Sequence, residues 1–144
     1  MNLSSLLTPP KNENKFYSAR NLLTIAEVPA LSLKCGYLLA LGLFLDCFYE
    51  CDAAEKISLL TDEPKKGILK LVEHCKLAAA AHKLAHDNHL PVPSWVMKSE
   101  YIMPYPIYAF NTEDSESQEF LRKVTPDEYR LRNLFLGPGV LKRV

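Results

Sequence analysis

The chain has 144 residues, the length of one domain, and the composition of a globular protein. Hydrophobic residues make up 48% of it, which excludes a disordered or low-complexity polymer. Its 17 lysines and arginines balance 17 aspartates and glutamates. A neutral chain lacks the excess of cations with which most nucleic-acid-binding proteins neutralise phosphates, so the charge balance argues against nucleic acid as a partner of this chain alone.

The N-terminal segment and the cysteines indicate a protein that is neither exported nor held in a membrane. Residues 1–11 predict a flexible arm, because Thr8-Pro9-Pro10 continues neither a helix nor a central strand. This arm lacks the basic and apolar regions of a signal peptide. The most apolar run, Gly36–Leu45, is far shorter than a membrane-spanning helix. None of the four cysteines forms a C-x-x-C pair, so we expect reduced thiols and a cytoplasmic location.

The part from residue 12 to residue 90 predicts a helical bundle. Apolar periodicity, capping residues and prolines mark its helices. They run from Asn12 or Asn14 to about Glu27, from about Ala30 to Glu50, from a cap at Asp52 to about Leu60, and from about Lys66 to Asn88. The second is apolar on nearly every face, which predicts that it lies at the centre. The predicted fold class is mainly α, a bundle of about four helices with an irregular C-terminal wrap and one short β element.

From residue 91 to residue 144, prolines and aromatic residues predict a segment wrapped over the bundle within the same domain. Four prolines between Pro91 and Pro106 exclude a continuous helix, and five aromatic side chains can anchor an extended path: Trp95, Tyr101, Tyr105, Tyr108 and Phe110. Thr125-Pro126-Asp127-Glu128 predicts a helix start capped by Thr125. The aromatic residues form either a packed internal coil or a partner-binding surface, since tryptophan and tyrosine are common interface anchors.

Charge is unevenly distributed along the C-terminal third. Residues 111–121 carry four carboxylates and no base, whereas the last 23 residues carry a net charge of +4. Arg130, Arg132 and Asn133 lie in the basic part. Three roles fit them: holding a phosphate or carboxylate ligand, bridging to the acidic loop at residues 113–119, or contacting an acidic partner protein.

All four histidines lie within 16 residues of one another. On a helix, Cys75, His82, His86 and His89 fall within about 60°, and His82 and His86 have the i, i+4 spacing of a zinc-binding pair. Lys83 stands where a zinc protease carries its glutamate base, which excludes that class. Two interpretations stay open: a metal site in this stripe, or histidines that pack at the core edge and near the helix C-terminal end. No catalytic residue and no bound cofactor are assigned.

Two runs carry a resemblance to a known group. His89-Leu-Pro-Val-Pro-Ser-Trp-Val96 and Thr125-Pro-Asp-Glu-Tyr-Arg-Leu-Arg-Asn-Leu-Phe-Leu136 resemble elements of small bacterial helical proteins of unassigned activity. Those proteins combine a Pro-x-Trp element with a C-terminal Pro-x-Glu-aromatic-Arg-x-Arg-Asn element. Similar proteins belong to toxin–antitoxin or mobile-element loci, so the resemblance implies an antitoxin-like partner protein.

The leading hypothesis from the sequence is a non-enzymatic protein-interaction module that binds a protein partner or a second copy of itself. Its predicted binding residues are Trp95, Tyr101, Tyr105, Arg130, Arg132 and Asn133. One alternative is a metal-dependent enzyme that uses His82 and His86. Another is a DNA-associated regulator, which would bind duplex DNA with a steep dependence on salt.

Overall fold

The computed structural model describes residues 22–142, and within them the chain is mainly helical, which confirms the predicted fold class. The predicted arm at residues 1–11 and most of the first predicted helix lie outside the described residues. In the described part the elements are α1 (Val28–Cys35), α2 (Tyr37–Tyr49), α3 (Ala53–Thr61), α4 (Leu71–Asp87), β1 (Ile107–Tyr108), α5 (Ser115–Val124), α6 (Asp127–Arg130) and β2 (Leu134–Phe135). Short 3-10 turns cover Ile25–Glu27, Ser94–Met97, Ser99–Tyr101 and Ala109–Asn111.

Gly36 divides the second predicted helix into α1 and α2. Its backbone has φ of +89°, a left-handed conformation that glycine adopts without steric cost but that an α-helix cannot continue. The prediction of one helix from Ala30 to Glu50 was therefore wrong. The predicted bounds at Glu27 and Ala30 leave Pro29 between two helices, but it lies in the first turn of α1, where its missing N–H needs no partner.

The centre of the molecule is α4. Ten of its residues are buried, and its alanine run Ala78–Ala81 lets neighbouring elements approach its backbone closely. Ala78 and Leu77 belong to a large apolar cluster with α2 and α3, whereas Cys75 and Ala79 belong to a second cluster with the C-terminal segment. The expectation that the most apolar helix lies at the centre was wrong, because α2 leaves several leucines exposed.

The starts of α3 and α4 show how local caps set helix boundaries. Asp52 accepts a hydrogen bond from Glu55 N (2.9 Å), and Glu55 accepts one from Asp52 N (2.9 Å), as the predicted cap at Asp52 required. The helix predicted from Lys66 begins only at Leu71, where Glu73 accepts a hydrogen bond from Lys70 N.

The C-terminal wrap is closed by a pair of parallel strands. Ile107 pairs with Leu134 and Tyr108 with Phe135, and Ile107 N donates to Asn133 O (2.8 Å). Thus β1 and β2 tie the middle of the wrap to its end.

The structure differs from prediction on both sides of Thr125. The acidic stretch becomes the N-terminal end of α5, where Asp114 accepts a hydrogen bond from Ser117 N (2.7 Å). Thr125 does not cap α6. Its hydroxyl donates to Leu121 O (2.7 Å) and accepts from Gly137 N (2.9 Å), so it links the end of α5 to the chain after β2.

Candidate functional site

The predicted histidine stripe meets the C-terminal segment at the end of α4. The rings of His82 and His86 lie 5.0 Å apart, and His86 Nδ1 lies 2.6 Å from Glu128 Oε2 in α6. His82 is buried and His86 is exposed. His82 therefore packs at the edge of the core, as one of the two interpretations required.

Arg132 completes this polar cluster from inside the protein. Its side chain is 1% exposed, and it donates to Glu128 O (2.6 Å), Val96 O (2.6 Å) and His82 Nδ1 (3.2 Å). Because arginine has only donors, His82 Nδ1 must be the acceptor, with the imidazole neutral. Arg132 thus joins α4, the Trp95 turn and α6.

Burial and neighbouring charges shift the pKa values of His82, Glu128 and Arg132. Burial lowers the pKa of His82, and the Arg132 guanidinium lowers it further. Burial alone would raise the pKa of Glu128, but the hydrogen bond with His86 holds it below its usual value. Burial also lowers the pKa of Arg132, which nevertheless remains a cation at neutral pH. The cluster therefore contains one buried cation, one carboxylate and a neutral buried imidazole.

The structure does not keep the four candidate metal ligands together. His89 lies beyond the end of α4, with φ of +58°, so it leaves the helical stripe. Cys75 is buried, and burial raises its pKa to about 11, which disfavours a thiolate ligand. Among residues 22–142, no group of three or more His, Cys, Asp or Glu side chains is arranged to hold a metal ion.

Another histidine, His74, lies in the first turn of α4. It is buried against the ring of Tyr101, with ring centroids 6.1 Å apart. In the described part of the chain, neither of its ring nitrogens has a hydrogen-bond partner. Burial lowers its pKa, so it too is neutral at pH 7.

The two innermost aromatic residues of the wrap are internal anchors. Trp95 is buried and its indole N–H donates to Leu60 O (3.0 Å). Tyr101 is buried beside it, with the rings 5.7 Å apart, and its hydroxyl donates to Glu63 (2.5 Å). Their side chains hold the wrap against α3 and the following loop and are not on the surface.

The other predicted binding residues have mixed positions. Tyr105 and Arg130 are exposed, and Arg130 pairs with Asp127. Asn133 is partly buried, and its side chain donates to Met103 O (2.7 Å). Of the six predicted residues, only Tyr105 and Arg130 offer exposed side chains to a partner. The alternative bridge from Arg130 or Arg132 to the acidic 113–119 stretch is not formed within residues 22–142.

The loop after β1 displays an aromatic side chain that is fully exposed. Phe110 is 101% exposed and has φ of +58°, and Asn111 follows with φ of +54°. Thr112 holds the loop by donating to Ala109 O from both its N–H (3.1 Å) and its hydroxyl (2.6 Å). An open cleft of about 420 Å³ lies beside it, between Tyr105 and Gln118. Positive φ is uncommon for residues other than glycine, and here two consecutive residues have it. The exposed position of Phe110 therefore goes with an unusual backbone conformation of the loop.

The largest departure from prediction is an exposed apolar surface on α2, here called the leucine face. Leu38 is 81% exposed and Leu39 53%, and Leu43 and Tyr49 are also exposed. At 100° per residue these four side chains fall within about 140° of one another on the helix. Sequence reasoning missed this face, although the Gly36–Leu45 run contains more leucine than one buried stripe needs.

Comparisons with known proteins identify no relative of this chain. No known protein family matches the chain, and neither the curated proteins nor the solved structures provide a significant match. In the part of the chain that the structure describes, no helix is both long and apolar enough to cross a membrane.

Proposed function

We propose that the chain is a non-enzymatic protein-interaction module that binds a partner protein through the leucine face. The observation that carries this proposal is the exposure of Leu38, Leu39 and Leu43 side by side on one helix. Contiguous apolar patches on soluble proteins mark interaction sites. Covering these three side chains would remove from water about two leucines' worth of surface, which is worth on the order of 3–5 kcal/mol.

This proposal moves the binding surface away from the residues predicted first. Trp95, Tyr101 and Arg132 support the fold from inside, so their substitution tests stability. Tyr105 and Arg130 remain a predicted second contact. The resemblance to bacterial helical proteins would make the partner a toxin, and that identity rests on the resemblance alone. We place the module in the cytoplasm, where its four free thiols stay reduced.

The test is a complex whose formation depends on the leucine face. A photo-crosslinking amino acid at position 38 in the full chain should capture one partner at fixed stoichiometry in the native host, and the same group at Phe120 should not. Phe120 is a matched control because it is an exposed apolar residue on α5. The captured protein and the chain are then purified and mixed.

Two glutamine substitutions sharpen this test. Leu38→Gln with Leu39→Gln should abolish the reconstituted complex, whereas Phe120→Gln should leave it intact, with helix content by circular dichroism unchanged in both variants. Glutamine is a good helix former, so the substitutions remove apolar surface and keep the helix. A complex that survives the double substitution would refute the leucine face as the binding surface.

A further inference from the structure

His74 is a buried polar side chain whose two ring nitrogens are both unpaired, an arrangement that is rare in folded proteins. The residue is 6% exposed, and in the described part of the chain neither Nδ1 nor Nε2 has a hydrogen-bond partner. A neutral imidazole tolerates this position better than an imidazolium, because the charged form has two N–H donors and a larger desolvation cost. The folded protein therefore holds His74 in its neutral form.

The charged groups that act on His74 belong to α4, to the segment before α4 and to the Ser99–Tyr101 turn: Glu73, Glu63, Lys66 and Glu100. Glu63 pairs with Lys98, and Glu100 pairs with Lys66. The three carboxylates favour an imidazolium, but burial and the Lys66 ammonium outweigh them and lower the pKa of His74. Carboxyl groups ordinarily titrate below about pH 5. Within this set, His74 is therefore the group whose ordinary pKa lies between pH 7.5 and pH 5.5.

The Ser99–Tyr101 turn packs against His74 with one side chain. The Tyr101 ring is buried, its centroid lies 6.1 Å from that of the His74 ring, and its hydroxyl donates to Glu63. The lysine–glutamate pairs beside the ring lie at the surface, where ion pairs contribute little to stability. The burial of one ring is therefore the main attachment of this turn to α4.

Stronger anchors lie on either side of residues 98–102, here called the Tyr101 segment. Before the segment, the indole N–H of Trp95 donates to Leu60 O inside the protein (3.0 Å). After it, Met103 N donates to Arg132 O (3.1 Å). The segment can therefore leave α4 while the chain stays fixed at both ends.

We propose that acid opens the Tyr101 segment away from α4, with His74 as the group that takes the proton, while the anchors at Trp95 and Met103 stay in place. A proton bound in the closed state would leave a buried imidazolium without acceptors. The proton therefore comes from water that reaches the ring once the segment has moved. Opening exposes the Tyr101 ring and the side of α4 beneath it, a surface that the protein does not present at neutral pH.

Linkage between proton binding and opening sets the sign and size of the effect. In the open state His74 is in water and has its ordinary pKa of about 6.5, whereas burial lowers its pKa in the closed state. The closed state is therefore most stable above this pH and loses stability as the pH falls through it. At pH 5.5 the open state holds about ten protonated imidazoles for each neutral one, so its population rises up to about tenfold from pH 7.5.

The experiment is amide hydrogen exchange on the full chain at pH 7.5, 6.5 and 5.5, corrected for the intrinsic pH dependence of exchange. The amides of Tyr101 and Ile102 donate to Lys98 O and Ser99 O, so their protection reports the closed segment. At each pH their protection should be at least about tenfold lower than that of residues 78–81 in α4, as expected for local opening. It should fall by about five- to tenfold from pH 7.5 to pH 5.5.

Variants of two histidines assign the proton. His74→Leu should remove the fall in protection, and His74→Gln, which does not titrate either, provides a second variant if leucine alters the fold. His89→Asn is the matched control, because His89 is exposed and asparagine tolerates its positive φ. This control should leave the fall in protection unchanged.

Three results would overturn the inference, and none of them bears on the leucine face. Equal protection of Tyr101 and of residues 78–81 at each pH would mean that the segment opens only with global unfolding. Protection of the Tyr101 segment that does not change with pH would exclude a proton-driven opening. A fall in protection that persists in both His74 variants would assign the proton to another group.

Discussion

Arg132 should be among the most sensitive positions for stability, although it is a charged residue near the end of the chain. Arg132→Leu leaves Val96 O and Glu128 O without their donor inside the protein. A buried polar group that loses its partner costs about 1–3 kcal/mol, so two carbonyl groups give about 2–6 kcal/mol. Part of this loss of stability is offset, because the leucine variant no longer pays the desolvation cost of a buried cation. We expect a net loss of about 3 kcal/mol, a large part of a typical domain stability of about 5–15 kcal/mol.

Arg130 provides a matched control two residues away. It is exposed and pairs with Asp127, and it also donates to Arg122 O (3.1 Å). Exposed ion pairs contribute about 0–1 kcal/mol, so Arg130→Leu should change stability by no more than about 1 kcal/mol. The loss of stability for Arg132→Lys should lie between the losses for Arg132→Leu and Arg130→Leu. Lysine keeps the positive charge but lacks the planar guanidinium that reaches two carbonyl groups.

The measurement is urea unfolding followed by circular dichroism on the three variants and the parent chain. Arg132→Leu should lower the midpoint several times more than Arg130→Leu does, with similar slopes. Equal midpoints for the two leucine variants would refute the reasoning, because the buried hydrogen bonds would then contribute nothing that an exposed arginine does not. The result also decides whether a loss of binding on mutating Arg132 reports an interface or unfolding.

Three further predictions concern the buried histidines, the backbone at Gly36 and the hydrogen bond of Trp95. Acidification from pH 7.5 to 5.5 should lower stability, because the pKa values of His74 and His82 are depressed in the folded state and the unfolded chain binds these protons first. Urea midpoints across this range check it, and replacing both histidines by leucine should flatten the slope. Gly36→Ala should destabilise by about 1 kcal/mol or more, since alanine is strained at φ of +89°; an unchanged melting temperature would contradict this. Trp95→Phe removes the donor to Leu60 O and should cost about 1–3 kcal/mol in urea unfolding, and a loss below 0.5 kcal/mol (about the error of such measurements) would contradict it.

The parts of the fold that were predictable depend on local chemistry. Asp52 and Glu55 form a cap because two side chains and two N–H groups within one turn satisfy one another. The irregular wrap follows from its prolines, which exclude regular helix wherever they fall. By contrast, Thr125 has the residue type and the neighbours of an N-cap. Its hydroxyl instead accepts a hydrogen bond from Gly137 N, a contact between distant residues that no local pattern predicts.

The parts that were not predictable depend on which elements meet. The apolar periodicity shows that α2 could be buried on all sides, but it does not show which elements pack against it. The sequence therefore predicted α2 as the central helix, whereas α4 is central and Leu38 of α2 is exposed. Arg132 was predicted to be a binding residue, whereas the structure buries it, which is rare for arginine. Its burial requires acceptors from three separate elements, and no spacing in the sequence indicates that Val96 and Glu128 converge on it.

The closure of the fold by its last elements has a consequence for synthesis on the ribosome. The side of α4 that carries Cys75, Ala79 and His82 packs against Met103 and against residues made after Asp127. At about 5–20 residues per second, α4 is complete for some seconds before Arg132 exists. During that interval the nascent chain exposes two apolar surfaces: the side of α4 that its own C-terminal segment will later cover, and the leucine face of α2, which stays exposed in the described part of the folded chain. A chain interrupted before β2 keeps both open, and we expect it to be held by chaperones or degraded.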